Sequence, residues 1–142
     1  MDIRLWAVAI PIAVLTACGG KVPPYPPLEG ITRVEVRGRL AQRDTTVASI
    51  ADPERIGRIL AFVNARCAGW ERPWAGIPVP IVVADFYRGS EFMGHVGSGA
   101  SFLETQREDD FASRSASPEE VAEFNALLGI GTKVVAVPPK RP

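Results

Sequence analysis

The sequence has 142 residues, 46% hydrophobic and 23% charged, the balance of an ordinary globular chain long enough for one core and not of a disordered or fibrous one. Lys+Arg and Asp+Glu number 16 each, and the charges are interspersed along the chain. That excludes the basic face expected of a nucleic-acid binder and the Lys/Arg cluster of a polybasic membrane binder.

Behind Arg4 an uncharged run extends from Leu5 to Ala17. As a helix it would span about 20 Å at roughly 1.5 Å per residue, short of the roughly 30 Å hydrocarbon core of a bilayer. It reads as the apolar region of an export signal, with a thin charged region before it because Asp2 offsets Arg4. The run ends in Leu15-Thr16-Ala17-Cys18. This resembles the lipobox of bacterial lipoprotein precursors, a likeness confined to the first eighteen residues. The resemblance implies a diacylglycerol thioether on Cys18, removal of residues 1–17 by a lipoprotein signal peptidase, and a membrane anchor of two or three acyl chains. An Asp after the cysteine retains such proteins in the inner membrane. Gly19 stands there instead, which implies the outer membrane, facing the periplasm. Ordinary signal peptidase fits less well, because a cut after Ala17 would put the large Leu15 three residues before it. A cut after Gly19 gives the soluble alternative, and a chance Leu-Thr-Ala-Cys in a core helix the remaining one.

Residues 18–29 contain four prolines and read as a semi-rigid polyproline II tether. Its Pro-Pro-Tyr matches ligands of WW-type adaptors, which belong to another compartment. Ile31–Arg37 alternates with the period of a half-buried strand, and Thr45–Ile50 is a weaker extended segment able to pair with it. Asp52-Pro53-Glu54 supplies an N-cap, a first-turn proline and a first-turn acid. A helix over Pro53–Ala68 follows, its apolar stripe formed by Ile56, Ile59, Leu60, Val63 and Cys67. Val79–Tyr87 and Phe92–Val96 predict a hairpin. Gly89-Ser90 suits a two-residue type II′ turn that would set Ala84 opposite His95, whereas hydrophobic alternation favours a three-residue loop with Asp85 opposite His95. Burial specifies register more strongly, so the second is preferred. Ser98–Thr105 predicts another strand and Arg107–Ser115 a polar loop. Ser117-Pro118-Glu119-Glu120 opens a second helix through a capping box, with Val121, Phe124, Leu127 and Leu128 buried and an end at Gly129. The Pro-rich tail, 132–142, is expected to fray. These elements make residues 30–131 a single α+β domain, a small antiparallel sheet with two amphipathic helices packed on one face.

Few residues carry chemistry. With Cys18 in a thioether, Cys67 has no intrachain disulfide partner and reads as a small core hydrophobe. His95 is the only histidine, which leaves a zinc site without imidazoles and a Cys67–His95 catalytic pair without an orienting third group. Asp85 and His95 read as a cross-strand pair. Trp70-Glu71-Arg72-Pro73-Trp74 is the local feature that favours recognition, since Trp and Arg are enriched at binding hot spots. Trp70, Arg72 and Trp74 are therefore the candidate partner contacts, against the plainer reading that both indoles seal the core. Gly94, Gly97 and Gly99 read as bulge or close-packing positions, because no helix N-terminus follows them to make a phosphate loop. Asp109 and Asp110, with Glu104 and Glu108, read as a solvated acidic loop without a calcium-loop pattern. No cofactor or metal is called for. The sequence thus points to a lipid-anchored, non-enzymatic envelope protein that binds a protein or glycan. A structural subunit of an envelope complex and a hydrolase with an unrecognised site are the alternatives.

Overall fold

The computed structural model describes residues 22–40, 43–73, 76 and 78–131. Cys18, Trp74 and the tail from 132 lie outside the described residues. In chain order the elements are β1 (Arg33–Leu40), β2 (Arg43–Ile50), α1 (Pro53–Asn64), β3 (Val82–Arg88), β4 (Glu91–Ser98), β5 (Phe102–Arg107), β6 (Asp110–Ser115) and α2 (Pro118–Leu127). The strands form one antiparallel sheet in the order β2-β1-β3-β4-β5-β6. The class is α+β.

Period-two alternation sorts the side chains. Val34 lies opposite Phe86, Val36 opposite Ala84, and Ala84 opposite Val96, which in turn faces Thr105. All six are buried. The intervening positions Glu35, Asp85, His95 and Gln106 form a second row on the other face. Buried residues of α1 are Ile56, Ile59, Phe62 and Val63, and α2 buries Val121, Phe124 and Asn125. The two helices meet where the Phe62 and Phe124 rings stack at 5.4 Å, and α2 meets β4 where Ser98 Oγ donates to Asn125 Oδ1 at 2.8 Å.

Turn chemistry and burial both win in the β3–β4 hairpin. Gly89, with φ +62°, and Ser90 form a two-residue turn, so Arg88 pairs with Glu91 and Tyr87 with Phe92. A register shift then leaves Met93 unpaired, and Phe86 pairs with Gly94 and Asp85 with His95. The bulge restores the alternation that the short turn would have inverted. Gly94 makes it possible: its φ is +122°, and an added Cβ would sit 2.5 Å from the Gln106 carbonyl oxygen.

Three expectations need correction. The segment Arg107–Ser115 is not a loop, because after Glu108-Asp109 the chain returns as β6 against β5. As an edge strand with only Ala112 fully buried, it carries no hydrophobic alternation to read. The first helix stops at Asn64, short of Ala68. The Arg66 guanidinium folds back to the Phe62 carbonyl oxygen at 2.8 Å, satisfying an end of the helix with a cation where its dipole favours one. Finally, residues 22–28 belong to the folded unit. Val22 and Leu28 are core residues, Tyr25 packs against the core, and the Asn64 amide clasps Leu28 through its backbone N–H and carbonyl. Burial recurs every third residue, at Val22, Tyr25 and Leu28, with exposed prolines between. Three is the period of polyproline II, so the prolines that rule out a strand still present one face to the core.

Candidate functional site

Two polar constellations flank the central strands. The first lies on the Asp85–His95 face. Arg37 donates through Nε to Asp85 Oδ2 and through Nη2 to Asp85 Oδ1, the latter at 2.9 Å. His95 Nδ1 stands 4.0 Å from Asp85 Oδ1, while His95 Nε2 lies 2.9 Å and 3.1 Å from the two Glu104 carboxylate oxygens. Glu104 is 1% exposed. Glycine at position 97 lets its carboxylate fit, since a Cβ there would sit 2.3 Å from Glu104 Oε1 and 2.7 Å from Pro80 Cβ. The register of Asp85 opposite His95 is as expected, but the hydrogen bond of the imidazole goes to Glu104. Arg37 and Glu104 were not legible as its neighbours. Among the described residues no Ser, Thr or Cys side chain hydrogen-bonds the imidazole, which leaves a relay of carboxylates around a histidine with no nucleophile in line. Also among the described residues, no group of three His, Cys, Asp or Glu side chains is placed to hold a metal ion.

The second constellation is built around the strap of residues 22–28. Tyr25 OH donates to Asp110 Oδ2 at 2.9 Å, and Arg72 grips the same carboxylate through Nε at 3.0 Å and Nη2 at 3.3 Å. The Arg72 guanidinium and the Tyr25 hydroxyl hold the Asp110 carboxyl below its usual range. Burial, reinforced by the bond to Asp110, pushes the Tyr25 phenol up to about 12. On the outer side of the strap an open groove of about 420 Å³ is lined by Leu28, Arg88, Met93, Arg107 and Asp110 among others. Between strap and sheet lies a smaller space of about 170 Å³, walled by Tyr25, Val63, Trp70, Val96 and Arg107.

The expected recognition loop divides. Trp70 is a core side chain, 5% exposed, its indole N–H donating to the Arg66 carbonyl oxygen at 2.7 Å. Tyr25 packs edge-on against it at 6.4 Å. That removes Trp70 from the contact surface, because a buried tryptophan needs an internal acceptor and this one has it. Arg72 is exposed and Trp74 lies outside the described residues. The acidic loop also divides: Glu104 is buried, while Asp110 joins Arg72 and Tyr25.

Cys67 is half-buried beside the smaller cavity and is disulfide-bonded, contrary to the expectation of an unbridged core thiol. It lies with Val96 and Thr105, on the face away from His95, so the two do not form a pair. Cys18 is the other cysteine of the sequence. A thioether on Cys18 would therefore require the Cys67 disulfide to run to another chain.

No protein family, curated protein or solved structure matches the chain. Among the described residues no helix is long and apolar enough to cross a membrane.

Proposed function

We propose that the chain is an envelope lipoprotein, anchored through lipid on Cys18, whose folded unit is a non-enzymatic binding module for a protein or glycan. The carrying observation is Leu15-Thr16-Ala17-Cys18 at the end of an apolar run too short to span a bilayer. The docked strap sharpens this reading. Val22 is already a core residue and follows Cys18 by four positions, so the anchor lies within roughly 14 Å of the folded unit at about 3.5 Å per extended residue. The domain would ride close to the membrane surface rather than on a long tether. Sorting to the outer membrane, by Gly19, is part of the proposal. So is the placement of both helices on the face carrying Val34, Ala84 and Val96, which the Phe62–Phe124 stack and the Ser98–Asn125 bond favour.

The binding role rests on the exposed pair of Arg72 and Asp110, the second of which lines the groove together with the part-exposed Met93. Fractionation tests the anchor. Wild type should sediment with membranes and partition into detergent, and Cys18→Ser should be released; equal membrane retention of both would overturn it. Capture from solubilised envelopes tests the binding role. A partner that follows wild type and is lost with Arg72→Ala, at unchanged midpoint of unfolding, supports it, and capture indifferent to Arg72 counts against this surface.

A further inference from the structure

We propose that the space between strap and sheet is a binding site for a small organic carboxylate, held by the guanidinium of Arg107. This goes beyond the envelope reading and depends neither on lipidation nor on a macromolecular partner.

Arg37, Arg66 and Arg114 are half-buried, and each has a carboxylate within salt-bridge distance: Asp85 for Arg37, and Glu120 for Arg66 at 3.2 Å and Arg114 at 3.6 Å. Arg107 is half-buried too, yet among the described residues it has no carboxylate partner. Its contacts are long. Nε lies 3.4 Å from Thr105 Oγ1, Nη1 lies 3.5 Å from the Pro26 carbonyl oxygen, and the guanidinium carbon stands 5.7 Å from the centre of the Tyr25 ring. Burial pushes the guanidinium below its usual pKa, and only the Tyr25 hydroxyl acts against that. A cation taken from water without an anion is costly, and a bound anion removes the cost.

The backbone is shaped to hold this side chain where it is. Arg107 faces Gly94 across the β4–β5 pair, one step beyond the His95–Gln106 pairing, and a Cβ at Gly94 would lie 2.7 Å from Arg107 Cδ. The bulge glycine of the hairpin thus makes the room through which the arginine stem runs to the cavity.

Size and lining select the ligand class. The space of about 170 Å³ is close to the roughly 150 Å³ of a cavity that accepts benzene. Its walls are the Tyr25 and Trp70 rings with Val63 and Val96, which suit a flat or short apolar body. The nearby polar groups are engaged, Asn64 with the Leu28 backbone and Thr105 Oγ1 with the His95 carbonyl oxygen. One guanidinium offers a fork for one carboxylate, whereas a phosphate dianion would need further donors.

The test uses 4-fluorobenzoate as the probe and the full chain, followed by fluorine NMR. The probe resonance should broaden saturably, be restored by excess benzoate, and be unaffected by chloride at equal ionic strength. Benzamide, the same shape without the charge, should compete at least about tenfold less well, and Arg107→Met should weaken probe binding by a similar factor. Absence of broadening, competition by benzamide equal to benzoate, or unchanged affinity in a folded Arg107→Met would each overturn the proposal. The benzamide comparison decides the matter even if the variant fails to fold.

Discussion

His95 and Arg107 stand on neighbouring strands, on opposite faces of the same sheet, and they bury charge in opposite ways. The imidazole stands between two buried carboxylates, hydrogen-bonded to Glu104 and 4.0 Å from Asp85, which Arg37 grips, so each charge on that face has an opposite charge beside it. Arg107 has an apolar cavity and two long contacts. The first arrangement pairs its charges within the fold; the second leaves a cation without a carboxylate among the described residues. Buried polar groups that close on themselves contribute to the fold, and those left open are where a ligand can contribute.

Removing a partner from each face should separate the two arrangements. His95→Ala should cost about 2–3 kcal/mol in denaturant unfolding, because Glu104 is left buried without its donor. A loss below about 0.5 kcal/mol would mean that water reaches that carboxylate. Gly94→Ala should cost somewhat less, about 1–3 kcal/mol, through a positive φ and contact with the Gln106 carbonyl. It should also displace Arg107 and weaken carboxylate binding in parallel, and loss of stability with binding intact would separate the bulge from the site. Arg107→Met should leave the unfolding midpoint unchanged or raise it, the reverse of His95→Ala, since it removes a half-buried charge that no carboxylate among the described residues offsets. A clear loss would show a partner for Arg107 in the unliganded protein.

The strap gives the smaller effects. The Tyr25 phenol titrates at about 12 in the folded chain against 10.0 unperturbed. The unfolded chain therefore releases that proton first, and stability should be intact below pH 10 and fall as pH rises from 10 to 12. Tyr25→Phe should flatten this limb, and an unchanged limb would mean that the strap is detached. Asp110 runs the other way: its stabilising contribution is present above its ordinary 3.8 and is lost as pH falls through its depressed value. Arg72→Ala, at an exposed pair, should leave the unfolding midpoint nearly unchanged.

The parts of the fold legible in the sequence are those with strong local chemistry. Asp52 caps α1 and accepts from the Arg55 backbone N–H, and Ser117 with Glu120 closes a capping box on α2. Alternation located β1, β3 and β4. What escaped was set by tertiary context. The edge strand β6 has no alternation to betray it, and the helix end was moved by the Arg66 side chain reaching Phe62. The strap was hidden by its prolines, although the three-residue spacing of Val22, Tyr25 and Leu28 is a signal that could have found it. The candidate site was less legible, because Arg107 and Glu104 read as surface charge until the sheet brings a bulge glycine to one and His95 to the other.

Intact mass of the protein purified from bacterial membranes, without reductant, tests the envelope reading most directly. The envelope reading predicts a chain beginning at Cys18, heavier by its acyl groups, with the added mass lost in Cys18→Ser. A chain that retains Met1, or that begins at Gly20 without added mass, would contradict it.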